Sequence, residues 1–171
     1  RTEQGYRNLA ALVTASRVGT WRTWDKAAAA RERGQPGVTW AQVCEHSAGL
    51  HALTGPPSGA IAMFLRAGGQ AKAAKQLDEW REVFGERLAV EVQMHHVGGD
   101  EAALAGALIA LAQWCAVPWV VANDPRYVDD TSRLVHDMLT ALRYGYDIEA
   151  AERAGVLHPN GEWRLIAPGD M

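Results

Sequence analysis

Polar residues with metal-binding chemistry follow three predicted β-strands. The strands end, in order, at Thr54-Gly55-Pro56-Pro57, at Gln93-Met94-His95-His96 and at Asn123-Asp124-Pro125-Arg126-Tyr127. Because parallel strands bring their carboxyl ends to one edge of a sheet, these residues are expected to lie near one another. His95 and Asp124 would then form a partial set of ligands for a divalent cation, since imidazole nitrogen and carboxylate oxygen both bind such metals.

The same residues also have a structural interpretation. Adjacent histidines in a loop, here His95 and His96, are often no more than polar surface, and Asp124 before Pro125 suits a turn. The other histidines are separated along the chain and are interpreted as isolated structural or surface residues: His46, His51, His136 and His158. The sequence contains no GxGxxG, Walker, GxSxG or HExxH motif that would indicate another chemistry.

An alternation of strand and helix patterns predicts an α/β fold. Strands are predicted at residues 50–54, 88–93 and 118–122. Helices are predicted over residues 6–16, the alanine run at 27–30, 40–46, 58–67, 70–84, 100–115 and 131–144, with N-caps at Thr39, Ser58, Asp100 and either Asp130 or Thr131. Strands separated by helices pair in parallel through right-handed crossovers. Three strands are too few for a closed barrel, so the sheet is either small and open or part of a larger barrel.

Apolar stripes indicate the helix faces that should be buried. One stripe consists of Leu104, Leu108, Leu111 and Cys115. Another, in the helix that Gly145 ends, consists of Leu134, Val135, Met138, Leu139 and Leu142. Both cysteines, Cys44 and Cys115, are expected to be buried small hydrophobic residues.

The composition is that of a globular protein. The 171 residues suffice for one domain with a core; 48% are hydrophobic, 22% are charged and the net charge is −3. This balance does not support the basic face of a nucleic-acid-binding surface. No apolar run reaches the roughly 18 residues of a membrane span, and two cysteines without metal-type spacing fit a cytoplasmic location. Because the chain starts at Arg1 and ends at Met171 without a terminal helix, we expect a piece of a longer protein.

Several short segments, in the same order, resemble the PHP domain of a bacterial C-family DNA polymerase, the DNA polymerase III alpha subunit or its error-prone paralogue. They lie at residues 5–9, 38–55, 91–95, 118–127, 136–139 and 163–171, whereas residues 17–37 match poorly. Glu91-Val92-Gln93-Met94-His95 is similar to the family's Glu-Leu-Gln-Asp-His. Asn123-Asp124-Pro125-Arg126-Tyr127 is similar to its Asn-Asp-x-His-Tyr.

The resemblance implies a fold, a metal site and a parent reaction. It implies a partial, distorted (β/α)7 PHP-type barrel of parallel strands alternating with helices. The expected organisation is one fragment, with an N-terminal helix and irregular segment at 1–37, a βα core at 38–146 and a connector at 147–171. Family PHP domains bind Zn or Mn at the strand ends, where some members hydrolyse phosphoesters. The resemblance implies that a parent polymerase would use Mg in a later palm domain.

Departures from the family pattern predict a vestigial metal site. Pro56 stands where the family has Cys, Arg126 stands where it has His, and further family ligands lie upstream of residue 1. His95 and Asp124 remain, and two protein ligands are too few for tight binding. We therefore expect neither catalytic nor cofactor-binding residues in this chain. The Arg126 guanidinium is predicted to replace the metal charge by donating to Asp124.

The leading hypothesis is a structural and interaction module of a DNA-directed DNA polymerase that is itself inactive. Its expected partners are the remaining domains of the parent, DNA through the parent, and a second copy through an unpaired sheet edge. One alternative is a metal-dependent PHP phosphoesterase whose other ligands come from outside this chain. Another is a free-standing α/β binding module with no enzymatic role.

Overall fold

The computed structural model describes residues 2–22 and 37–167, without the side chains of residues 18–22. These ranges contain seven α-helices: α1 Glu3–Arg22, α2 Trp40–Glu45, α3 Ala60–Arg66, α4 Gln70–Phe84, α5 Glu101–Trp114, α6 Asp130–Tyr144 and α7 Ile148–Arg153. A 3-10 helix at Gly85–Arg87 follows α4. The three strands are β1 Ala52–Leu53, β2 Leu88–Val92 and β3 Trp119–Val121. The helix predicted over the alanine run at 27–30 lies outside the described residues.

The three strands form one sheet in the order β1-β2-β3. Strands β2 and β3 are parallel, with Val90 opposite Trp119 and Val92 opposite Val121. In β2 the predicted alternation is confirmed, because Leu88, Val90 and Val92 are all buried. Helix α5 connects β2 to β3 and packs against α3. The α/β class is thus confirmed, whereas closure into a larger barrel stays a prediction.

The chain divides into two compact units, and the first consists of residues 1–53 and 78–88. Within it, the predicted cap of α2 is confirmed: Thr39 and Gln42 form a reciprocal capping box, with the Thr39 N–H 2.8 Å from the Gln42 side-chain oxygen. Gly5 of α1 lies against Gly49, and a Cβ on either residue would overlap the backbone of the other. Glycine at both positions therefore allows this close approach.

The second unit consists of residues 54–77 and 89–171, and three of its helix starts differ from expectation. Helix α3 begins after Gly59 and not at Ser58. Helix α6 is capped by Asp129, whose carboxylate accepts the Ser132 N–H at 2.8 Å and the Ser132 hydroxyl at 2.7 Å. These hydrogen bonds lower the pKa of Asp129 and favour it over Asp130 or Thr131 as the cap. Helix α7, capped by Asp147, was not predicted.

The predicted burial of the α6 stripe is wrong. Leu134 is 61% exposed and Leu142 is 72% exposed, and the stripe's other members are also exposed: Val135, Met138 and Leu139. Helix α6 packs through its opposite face, where Ala141 is buried and Asp137 is half-buried. By contrast, Leu104, Leu108 and Leu111 of α5 are buried as predicted.

The cysteines also differ from expectation, since Cys44 and Cys115 are only half-buried. Each lies near a helix end, where fewer side chains cover it than in a helix centre. Among the described residues, no helix has the length and apolar character needed to cross a bilayer.

Candidate functional site at the strand ends

His95 follows β2 and is buried, with 4% of its surface exposed. Its ring Nε2 lies 2.9 Å from the main-chain oxygen of Asn123, after β3. Because a carbonyl oxygen only accepts, Nε2 is the protonated nitrogen of this contact. The other nitrogen, Nδ1, lies 3.8 Å from the Glu101 carboxylate, which is beyond hydrogen-bond distance. The His95 ring thus joins the loops that follow two neighbouring strands.

Glu101 holds the loop after β2 against the start of α5. Its carboxylate accepts the His95 N–H at 2.5 Å and the Val97 N–H at 3.2 Å. Glu101 is buried and is the first residue of α5, where the helix dipole favours a negative charge. The sequence patterns did not single it out, although an acidic residue directly after the predicted start at Asp100 was a usable signal.

Asp100 occupies the N-cap position of α5, as predicted, but its side chain does not cap the helix. It instead forms a two-point contact with Arg66, at 2.6 Å to Nε and 3.2 Å to a terminal nitrogen. This contact lowers the pKa of Asp100 and raises that of Arg66. Asp100 therefore links α3 to α5, whereas Glu101 accepts hydrogen bonds from the main chain of the loop after β2.

The predicted ion pair between Arg126 and Asp124 is confirmed. The guanidinium donates to the Asp124 carboxylate at 2.5 Å. Both side chains are accessible to solvent, 51% for Arg126 and 37% for Asp124. Asp124 has a positive φ of 44°, a conformation that Asp tolerates better than most residues. Arg126 thus neutralises Asp124 at the surface of the strand-end edge.

The remaining strand-end residues hold the backbone in place. The Thr54 hydroxyl accepts the Glu91 N–H at 3.0 Å, and the buried Gln93 amide donates to the Glu91 carboxylate at 2.5 Å. The Pro56 carbonyl accepts the Gly59 N–H at 2.7 Å. His96 is exposed. Within residues 2–22 and 37–167, no three His, Cys, Asp or Glu side chains are grouped so as to hold a metal ion.

A C-terminal segment, residues 158–165, crosses this edge; we call it the strap. The Asn123 amide donates to the main-chain oxygens of Glu162 at 3.1 Å and Arg164 at 2.6 Å. The Asn160 amide donates to the main-chain oxygen of His95 at 2.6 Å. The strap also forms a parallel β-bridge, in which Arg164 lies opposite Tyr127. The sequence predicts a turn and a short extended segment in this part of the chain, but it does not predict where that segment lies in the fold.

Four aromatic rings of this region form a continuous stack. Trp163 lies between His95, with centroids 4.0 Å apart, and His158, at 4.1 Å. His158 stacks in turn on His136 of α6 at 5.3 Å. The interpretation of His136 and His158 as isolated residues is therefore wrong, because the strap folds onto α6 and brings them together. Of the other two, His51 is exposed and His46 lies 3.0 Å from the Gln42 main-chain oxygen.

Burial affects the protonation of two members of this region. It lowers the pKa of His158, and the nearby His136 and Arg126 act in the same direction. Burial also raises the pKa of Tyr127, whose hydroxyl donates to the Asn160 main-chain oxygen at 3.2 Å. Both pKa shifts favour the neutral form of the group concerned, His158 and Tyr127.

Comparisons with known proteins agree with the resemblance described above. Residues 1–95 match the family model of the PHP domain. The chain is 34% identical over 156 residues to DNA polymerase III subunit alpha of Caulobacter vibrioides, covering 91% of this chain and 13% of that protein. For the same subunit of Pseudomonas aeruginosa the identity is 33% over 150 residues, covering 88% and 12%.

An error-prone DNA polymerase of Anaeromyxobacter dehalogenans is 31% identical over 168 residues, covering 98% of this chain and 13% of that protein. The chain thus spans 12–13% of the length of these curated relatives. The family model covers more than half of the chain, and the relatives match it almost from end to end. This chain therefore belongs to the PHP domain family and corresponds to the PHP region of C-family DNA polymerases.

Proposed function

We propose that the chain is a structural and interaction module of a DNA-directed DNA polymerase, with a degenerate metal site at its strand ends. The relatives it matches are polymerases of which the chain spans only 13% of the length, so its partners would be the other domains of such a protein. Contact with DNA would occur through those domains. The observation that carries the proposal is the state of His95 and Asp124, the two family ligands that remain.

Neither retained residue fits a bound Zn²⁺ or Mn²⁺ ion in this arrangement. Nε2 of His95 carries the hydrogen that the Asn123 carbonyl accepts, so only the lone pair on Nδ1 is left for a metal. Within the described residues, His95 belongs to no group of three His, Cys, Asp or Glu side chains that could hold a metal ion. Asp124 is already paired with the Arg126 guanidinium, a cation that would repel a metal. Both oxygens of Glu101, the nearest further carboxylate to His95, accept main-chain N–H groups.

Phosphoester hydrolysis provides the test of this proposal. The chain is mixed with a nucleotide phosphoester and with single-stranded DNA ends, with and without added Mn²⁺ or Zn²⁺. We expect no metal-dependent turnover and no nucleotide incorporation. Metal-stimulated hydrolysis that is lost in His95→Ala, but kept in the exposed-site control His96→Ala, would overturn the proposal.

The second candidate function is a metal-dependent PHP phosphoesterase completed by ligands from outside this chain. It is favoured by one observation, the retention of a buried imidazole at the end of β2. In that case an added polypeptide carrying the missing ligands would displace Asn123 from His95 and produce metal-dependent turnover. A longer version of the protein that remains inactive would remove this candidate.

Association through the sheet edge is a further part of the proposal. Strand β3 is at one edge of the three-stranded sheet, and Trp119, Val120 and Val121 are each at least 40% exposed. Exposed edge strands are templates for pairing with a second chain. Because Pro118 and Ala122 bond β2, the alternating main chain turns the Val121 N–H towards the free edge. Sedimentation at high concentration should show a dimer that Val121→Pro weakens, since proline removes this edge N–H. A strictly monomeric profile would contradict dimerisation.

A further inference from the structure

Two side-chain amides fasten the strap to the strand-end loops. Asn123, after β3, donates to two main-chain oxygens of the strap, at 3.1 and 2.6 Å. Asn160, within the strap, donates to the main-chain oxygen of His95 at 2.6 Å. Asn123 belongs to a strand-end loop and bonds the main chain of the strap, whereas Asn160 belongs to the strap and bonds the main chain of a strand-end loop. The strap is therefore bound to this edge by a small set of specific groups.

Trp163 supplies the principal ring contact between the strap and the edge. Its indole lies nearly parallel to the His95 ring, with 3° between the planes and 4.0 Å between the centroids. The opposite indole face is covered by His158 of the same strap. The indole covers one face of the His95 ring, and His95 as a whole is almost fully buried. Removing the indole would uncover that face.

The strap is held by hydrogen bonds and ring stacking, without a buried aliphatic side chain of its own. Its main chain forms one β-bridge, and the neighbouring hydrogen bonds are Arg126 N–H to Trp163 O at 2.8 Å and Leu165 N–H to Tyr127 O at 2.9 Å. Arg164 and Leu165 are exposed. The buried apolar residues of this unit lie outside the strap, among them those of β2 and α5. Segments with these properties open more easily than the core to which they are attached.

We propose that the strap is a removable cover over the strand-end edge, with Trp163 as its latch. The closed strap excludes ligands from the His95 ring and the Asn123 amide. Its opening exposes both groups while the sheet stays folded. The inference rests on the contacts within this unit and does not require the chain to be part of a polymerase or the metal site to be degenerate.

Hydrogen exchange of the unmodified chain tests whether the strap opens separately. The amides of Arg126 and Leu165 report the strap contacts, whereas those of Val90 and Ala122 report the β2–β3 pairing, at 2.8 and 3.0 Å. We expect the strap amides to exchange at least about tenfold faster than the sheet amides. Equal protection of the two sets would show that the strap is part of the core and would overturn the proposal.

Carbethoxylation of His95, followed by mass spectrometry, tests the latch. Trp163→Ala should raise the modification rate of His95 about tenfold, because local opening then costs less. Trp163→Phe should restore most of the protection through ring stacking, and Trp114→Ala, at an exposed position of α5, should have no effect. If Trp163→Ala does not fold, Asn160→Ala is measured in its place. A His95 rate that neither folded variant changes would overturn the latch.

Discussion

The two retained residues at the strand ends are held in opposite ways. His95 is buried beneath Trp163, and its ring is bonded to a main-chain carbonyl. Asp124 is accessible to solvent and is paired with the charge of Arg126. A buried side chain needs such hydrogen-bonding and stacking partners because an unpaired buried polar group is costly. A solvent-exposed ion pair contributes less to stability. We call the surroundings of His95 the buried half of the strand-end site and the pair of Asp124 with Arg126 its exposed half. The buried half should be sensitive to mutation, and the exposed half should be tolerant.

The largest expected effect is in the buried half, at Glu101. Glu101→Ala leaves the main-chain N–H groups of His95 and Val97 without their acceptor, which should lower the free energy of unfolding by roughly 2–4 kcal/mol. Chemical denaturation measures this loss. Asp130→Ala is the matched control, since Asp130 is also the first residue of a helix but is exposed, and should change stability by less than about 0.5 kcal/mol. Equal losses would contradict the comparison.

A smaller effect is expected from pH, through His158. Its pKa is lowered in the folded state from the ordinary value of 6.5, so the unfolded chain binds this proton more readily. The contribution of His158 to stability is complete above about pH 6.5 and is lost as the pH falls towards the lower, folded pKa. His158→Gln should reduce the change in the free energy of unfolding between about pH 7.5 and 5. An unchanged slope in the variant would contradict the assignment.

The smallest effect is expected in the exposed half, at Arg126. Arg126→Ala breaks one solvent-exposed ion pair and should change the free energy of unfolding by no more than about 1 kcal/mol, with the difference reduced at high salt. Arg126→His should likewise fail to create tight Zn²⁺ binding, since Nε2 of His95 remains bonded to Asn123 and both oxygens of Glu101 remain bonded to main-chain N–H groups. A loss as large as that of Glu101→Ala would contradict the comparison between the two halves.

Local patterns predicted the elements and some contacts well. The alternation in β2, the stripe of α5, the Thr39 cap and the pair of Arg126 with Asp124 all depend on residues close in sequence. The pairing of β2 with β3 followed from their separation by a helix.

The strap could not be predicted in the same way. Its contacts join residues far apart in the chain, such as Asn160 with His95, 65 positions away. No periodicity encodes such pairings, so the sequence pattern does not predict the contact between His136 and His158. The predicted burial of the α6 stripe is wrong for a related reason. An apolar period identifies one face of a helix, but it does not specify that another part of this chain covers that face.

The central claim, that His95 is engaged by protein groups and not available to a metal, is tested most directly by NMR of its imidazole nitrogens during Zn²⁺ titration. We expect Nε2 of His95 to be the protonated nitrogen and the signals of both ring nitrogens to stay unchanged at stoichiometric Zn²⁺. A shift of either nitrogen at stoichiometric Zn²⁺, abolished by Asp124→Asn, would contradict the account.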